Sequence, residues 1–140
     1  MVNHTLDVEQ ARAYYDAESA IIFVHYRGTL TGDAANDVYG WLEELYDEID
    51  VDNLYGIVFD FREVKDFDES NLKTARRVSS RMNMRIDTSH VPAALIIRDP
   101  YHQEILFGSM RVSPEHARKK IVWSEEEARE FLDQWHAEHP

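Results

Sequence analysis

The stretch that decides the fold is residues 54–78, LYGIVFDFREVKDFDESNLKTARRV. Its first eight residues are mostly apolar and rich in Ile, Val and Phe, which predicts a buried strand from Leu54 to Phe61. The charged residues that follow predict a short acidic loop. Asp68 is then placed to N-cap a helix that extends to about Met82. A buried strand joined so closely to a helix indicates an α/β protein with helices packed on a sheet.

The C-terminal half continues this alternation of strand and helix. The sequence predicts strands at 91–98 and 120–123, and helices at about 100–112 and 125–136. A proline at position 100 is typical of a first helical turn, and the run Ser-Glu-Glu-Glu from position 124 forms a capping box. Single helices between strands are crossover connections, so these strands are expected to lie parallel.

The N-terminal half predicts a different start to the sheet. Two strand-like segments, one ending at Asp16 and one beginning a few residues later, flank a short turn and predict an antiparallel hairpin. Apolar residues at three- and four-residue steps over 32–49 predict an amphipathic helix. We expect a flexible tail over 1–10 and one α/β domain over 11–140. Its mixed, mostly parallel five-stranded sheet would have an antiparallel edge strand and four helices.

Bulk composition narrows the classes of function. The chain has 140 residues and a formal charge of −12, which disfavours binding to nucleic acid and to anionic lipid. Its apolar runs are far shorter than the roughly 18 residues of a membrane span. The N-terminal residues lack the pattern of a secretory signal, so we expect a cytoplasmic protein. The absence of cysteine excludes disulfides, thiol catalysis and cysteine-ligated metals.

The sequence carries no motif that indicates catalysis. It has no Gly-rich phosphate loop, no dinucleotide fingerprint and no G-x-S-x-G elbow. The seven histidines are dispersed except for His136 and His139, so neither a metal nor another cofactor is expected. We therefore expect a protein that works by binding and not as an enzyme.

Residues 68–72, Asp-Glu-Ser-Asn-Leu, resemble the loop before the second helix of STAS domains, the SpoIIAA-like family. In that family the loop typically reads Asp-Ser-Ser-Gly-Leu, and a partner kinase that doubles as an anti-sigma factor phosphorylates the second serine. Here Glu69 replaces the first serine and Asn71 replaces the glycine, while the Asp, the acceptor Ser70 and the Leu are retained. The order of predicted elements over 11–137 also resembles this family, in its divergent branch related in fold to Sec14/CRAL-TRIO proteins. The resemblance implies a SpoIIAA-like fold and a regulatory, non-enzymatic module.

Ser70 is the candidate switch residue that this resemblance implies. It lies in the first turn of the predicted helix, where free backbone N–H groups and the helix dipole favour a phosphate. An alternative interpretation is that Ser70 is an ordinary residue of a helix start. The partner would be a kinase or an anti-sigma-like regulator. The surface expected to bind it comprises Asp66, Asp68, Glu69, Asn71, Lys73, Arg76 and Arg77.

A second hypothesis is a carrier or sensor of a small hydrophobic, lipid-like ligand with a Sec14-like pocket. The candidate ligand-facing residues stand near the ends of predicted strands, where α/β sheets place ligands; they are Arg62, Arg98, Asp99 and Tyr101. Five other residues either line a cavity or belong to the packed core: Phe107, Met110, Trp123, Phe131 and Trp135. A third hypothesis is a homodimer formed through the sheet edge expected at Tyr14 and Tyr15.

Overall fold

The computed structural model describes residues 4–110 and 118–139, with side chains described through residue 106 in the first range. Six strands form one sheet in the order β1-β2-β3-β4-β5-β6. Neighbours are antiparallel from β1 to β3 and parallel from β3 to β6. The strands are β1 Thr5–Val8, β2 Ala11–Asp16, β3 Ile21–Leu30, β4 Gly56–Phe67, β5 Ala93–Ile96 and β6 Lys119–Val122. The hairpin and the parallel crossovers are confirmed.

Four α-helices lie in the described part of the chain: α1 Gly32–Glu48, α2 Glu69–Arg85, α3 Pro100–Met110 and α4 Glu125–Glu138. The main core lies between the sheet and the first three helices, and it includes Leu42 and Leu45 of α1 and Leu106 of α3. A smaller core lies under α4 around Leu132. We call these two sides of the sheet the three-helix face and the α4 face. The predicted last turn of α3, residues 111 and 112, lies outside the described residues.

The sixth strand corrects two predictions about the N-terminus. Residues 5–8, expected within a flexible tail, form β1, and Leu6 and Val8 pack against the main core. Because β1 pairs along β2, with Thr5 opposite Tyr14, neither Tyr14 nor Tyr15 lies at a sheet edge. The prediction failed because four residues are too few to show the alternation that marks a strand.

The acidic loop predicted after Phe61 is instead the second half of β4. This strand continues to Phe67 because β3 is ten residues long and pairs with it up to Leu30. Val64 and Phe67 are buried while the charged residues between them are exposed. The pairing shifts register beside Gly28, whose φ of 73° suits glycine. Because the second half of β4 is rich in charged residues, its sequence did not indicate that one side of it is buried.

Candidate functional site

Ser70 lies where the first turns of α1 and α2 meet. Gly32, the first residue of α1, donates its backbone N–H to Ser70 Oγ at 3.2 Å. Asn71 Nδ2 donates to the carbonyl oxygen of Thr31 at 3.0 Å, which ties the two helix starts together. A Cβ at position 32 would lie 2.9 Å from a side-chain oxygen of α2, so glycine permits this close approach. We call Thr31, Gly32, Asp68, Ser70 and Asn71 the Ser70 corner.

Asp68 is the N-cap of α2, as the sequence predicts. Its side chain accepts a hydrogen bond from the Ser70 backbone N–H at 2.7 Å, and its own N–H donates to Leu30 O at 2.9 Å. The hydrogen bonds from Ser70 hold the pKa of the Asp68 carboxyl below its usual value. The corner is thus ordered by hydrogen bonds while the Ser70 side chain remains exposed.

The surface predicted to bind a partner is exposed except at one residue. Asn71 is 6% exposed and bonded to Thr31, so its side chain belongs to the interior of the corner. Lys73 pairs with a neighbouring acid of α2 at 3.2 Å, whereas Arg76 and Arg77 form no ion pair with a described residue. The exposed members are Asp66 at the end of β4, Asp68 at the cap, and Glu69, Lys73, Arg76 and Arg77 on α2.

The four residues predicted to face a ligand do not converge on one pocket. Arg62 projects on the α4 face, where its guanidinium binds Asp60 at 2.7 Å and Glu125 at 2.9 Å. Asp99 accepts a hydrogen bond from the Tyr101 backbone N–H at 2.9 Å at the start of α3. The remaining residue of the set, at position 98, is exposed, as is the side chain at position 101. None of the four lines either cavity described next.

A cavity of about 140 Å³ lies between the sheet and α2 on the three-helix face. Its aromatic walls come from β3 and β4: Tyr26, Phe59, Phe61 and Phe67. Tyr26 stacks on Phe61 with ring centroids 4.9 Å apart. Helix α2 closes the opposite side, with its apolar residues Leu72 and Ala75 inside and Arg76 at the solvent side. We call this space the α2 cavity.

The sequence did not identify these cavity residues. Trp123, Phe131 and Trp135, which were candidates, lie on or beside α4 and do not line the α2 cavity. Phe107 and Met110 lie outside the described side chains. A signal was present, because aromatic residues alternate at positions 59 and 61 and so share one face of β4. Sequence alone offers no reason to expect a gap over that face.

The α4 face carries a wider groove of about 590 Å³ beside a network of charged side chains. Asp60 is 7% exposed, and His25 Nδ1 lies 3.2 Å from its carboxylate. His25 Nε2 lies 2.9 Å from Glu63 on the other side. Burial acts to raise the pKa of Asp60, but the hydrogen bonds and charge of Arg62, together with His25, lower it below its usual value. Ion pairs join these residues to one another, and the pair between Arg62 and Glu125 links the sheet to α4.

The described residues contain neither a metal-binding group nor a membrane-spanning helix. Within 4–110 and 118–139, no three or more His, Asp or Glu residues are grouped so that they could hold a metal ion. No helix in these ranges is both long enough and apolar enough to cross a membrane.

Solved structures resemble the chain although sequence comparison finds no match: no protein-family model and no curated protein matches it. An uncharacterized DUF3478-family protein with a SpoIIAA-like fold from Shewanella loihica PV-4 has a TM-score of 0.62 at 11% identity, covering 93% of this chain and 99% of that one. The unphosphorylated anti-sigma factor antagonist SpoIIAA gives 0.56 at 14% identity, with 89% and 96% covered. An anti-sigma factor antagonist from Mycobacterium paratuberculosis gives 0.57 at 12% identity, with 91% and 99% covered. The chain therefore has the SpoIIAA-like fold that the sequence predicted.

Proposed function

We propose that this protein is a non-enzymatic regulatory module that binds a protein partner through the start of α2, with Ser70 as a phosphorylation switch. The observation that carries the proposal is the position of Ser70: its hydroxyl is exposed and lies at the positive ends of two helices at once. Two of the structures similar in fold are anti-sigma factor antagonists. A kinase or an anti-sigma-like regulator is therefore the class of partner that we propose.

The physical effect of a phosphate at Ser70 would be a change of surface charge. The corner is already ordered by the Asp68 cap and the Asn71 hydrogen bond, so a phosphate has little left to order. It would add about 1.5 to 2 negative charges beside Asp68 and Glu69. The Gly32 N–H and the two helix dipoles would offset part of this repulsion. The phosphorylated surface would then repel a partner whose docking face is acidic.

Phosphopeptide and intact-mass analysis of protein isolated from its native host tests this proposal. Ser124 is a matched control, because it also begins a helix but serves as the cap itself and accepts the Glu127 N–H at 3.1 Å. We expect phosphate on Ser70, lost in Ser70→Ala and kept in Ser124→Ala. Absence of phosphate at Ser70 under several growth conditions would reduce Ser70 to an ordinary residue of a helix start.

A second candidate function is binding of a small hydrophobic ligand, favoured by the α2 cavity. A volume of about 140 Å³ is smaller than the roughly 300 Å³ at which pockets for drug-sized molecules begin. A long-chain lipid of the Sec14 kind would be too large, so the candidate ligand has about the size of one ring. Organic extraction of the purified protein followed by mass spectrometry would detect such a compound, with protein carrying Ala75→Leu in the cavity wall as the control.

A further inference from the structure

The charges around the α2 cavity have one sign. Its described lining contains two cationic residues, Arg76 and Lys119, and no carboxylate. The whole chain has 27 acidic residues against 15 lysines and arginines, so a lining free of acids departs from the bulk composition. The guanidinium of Arg76 forms no ion pair with a described residue. A ligand that reaches this side of the cavity would therefore meet an available positive charge.

The interior of the α2 cavity has about the size of a single ring. An apolar cavity of roughly 150 Å³ is large enough to hold one benzene molecule, and the α2 cavity measures about 140 Å³. Three phenylalanines and one tyrosine form its sheet side, and a leucine at position 106 closes it from α3. Aromatic side chains favour stacked or edge-to-face contact with another ring. The cavity thus suits an aromatic ring better than a flexible chain.

Among the uncharged polar residues that line the α2 cavity, Tyr26 and Ser79 offer hydroxyl groups to a ligand. Tyr26 is 6% exposed, and its hydroxyl has no hydrogen-bond partner in the described part of the chain. Burial raises the pKa of Tyr26 well above its usual value, so its O–H remains a donor at neutral pH. Ser79 lies one turn beyond Ala75 on the wall formed by α2 and offers a second hydroxyl.

We infer that the α2 cavity binds a small aromatic carboxylate, with its ring between β4 and α2 and its carboxylate at Arg76. This inference rests on the second candidate function proposed above and adds the chemical class of the ligand. Arg76 presents a planar fork of N–H donors that matches a carboxylate. Arg77 follows it on α2, is also exposed, and does not line the cavity. The two arginines are therefore a matched pair for a test.

The experiment compares phenylacetate with its neutral isostere phenylacetamide. Binding is measured by calorimetry and by the NMR shifts of leucine methyl groups in the full chain. Methyl groups of Leu72 and Leu106 report on the cavity, while those of Leu132 on the α4 face serve as an internal control. We expect phenylacetate to bind about fivefold more tightly than phenylacetamide, as one partly exposed charge-assisted pair would give. Only the cavity methyl groups are expected to shift.

Variants of the two arginines distinguish the contribution of the Arg76 charge from that of the cavity itself. Arg76→Gln is expected to abolish the preference for phenylacetate, and Arg77→Gln to preserve it. Binding of both probes with equal affinity, or a preference unchanged in Arg76→Gln, would overturn the carboxylate assignment and leave the hydrophobic-ligand function standing. If neither probe shifts the methyl groups of the cavity, both the carboxylate assignment and the hydrophobic-ligand function would be overturned.

Variants that fill the cavity give the final control. Ala75→Leu adds three carbons to its helical wall, and we expect it to eliminate binding of both probes. Leu72→Phe is the second variant, for use if the first does not fold. A folded, filled variant that binds phenylacetate as the wild type does would place binding elsewhere and overturn the inference.

Discussion

The two faces of the sheet are built from the same strands but differ in what covers them. The three-helix face is packed by α1, α2 and α3 and contains the large core and the α2 cavity. Among the described elements, α4 is the helix that covers the α4 face, and beside it Tyr14 and Phe23 stack at 5.1 Å with Tyr14 half exposed. There the strands carry the charged network around Asp60. Apolar packing therefore dominates on the three-helix face, whereas ion pairs and hydrogen bonds between charged side chains are prominent on the α4 face.

This difference follows from the connections between the strands. The crossovers through α1, α2 and α3 all link neighbouring parallel strands in one direction along the sheet. Right-handed connections in one direction place their helices on the same side. Of the helices in the described ranges, the other side receives only α4, which leaves the strands at the hairpin end with a solvated surface. Both candidate functions that we propose involve α2 and thus the three-helix face.

The largest expected effect is on the stability of the two cores. Leu45 and Leu132 are both 0% exposed, the first under α1 and the second under α4. We expect Leu45→Ala to lower the free energy of unfolding by about 4 kcal/mol and Leu132→Ala by about 3 kcal/mol. The smaller loss reflects the groove beside Leu132, into which its neighbours can relax. Urea unfolding measures both values, and a larger loss for Leu132→Ala would reverse this ranking of the faces.

A second prediction concerns the close contact between β4 and α4. A Cβ at Gly56 would lie 2.6 Å from Leu132 Cδ2, so Gly56→Ala is expected to destabilise the protein by about 2 kcal/mol. The loss should be smaller in the Leu132→Ala background, because the shortened side chain leaves room for the new methyl group. Gly40→Ala is the control: its Cβ would contact nothing within 4 Å, and it should stabilise α1 by about 1 kcal/mol. Additive losses at 56 and 132 would contradict the proposed contact.

The charged network of the α4 face predicts a pH-dependent effect. We expect Asp60→Asn to lower the free energy of unfolding by about 2 kcal/mol at pH 7, as the hydrogen bonds to Arg62 weaken. The folded-state pKa of Asp60 is below its usual value of 3.8, so its contribution is complete above pH 3.8 and is lost as pH falls through the folded-state pKa. The difference between wild type and variant should therefore shrink at low pH. The exposed substitution Asp37→Asn should show no such change.

The smallest expected effects distinguish the two serines at helix starts. Ser124→Ala removes the cap of α4 and should lower the free energy of unfolding by about 1 kcal/mol. Ser70→Ala keeps the hydrogen bond from its backbone N–H to Asp68 and removes only side-chain hydrogen bonds at an exposed position, so the expected loss is about 0.5 kcal/mol. Thermal unfolding of the two variants measures this order. A greater loss for Ser70→Ala would indicate that Ser70 has a structural role in joining α1 to α2.

The sequence by itself determined the type and order of the main elements, because these depend on neighbours a few residues apart. These local signals are the three- and four-residue spacing of apolar residues in α1, the caps at Asp68 and Ser124, and the apolar start of β4. They predicted an α/β protein and placed Ser70 in a first helical turn, and the order of the elements together with residues 68–72 carried the resemblance that implied the SpoIIAA-like fold. Where the local pattern was short or masked by charge, as in β1 and the end of β4, the prediction was wrong.

Only the tertiary structure decided which distant residues meet. Ser70 contacts Gly32 across 38 positions of sequence, and Asn71 is drawn into the interior by Thr31. The α2 cavity combines Tyr26 of β3 with Arg76 of α2. Such contacts depend on how side chains of different elements fill the space between them, and a gap in that packing leaves no local pattern in the chain.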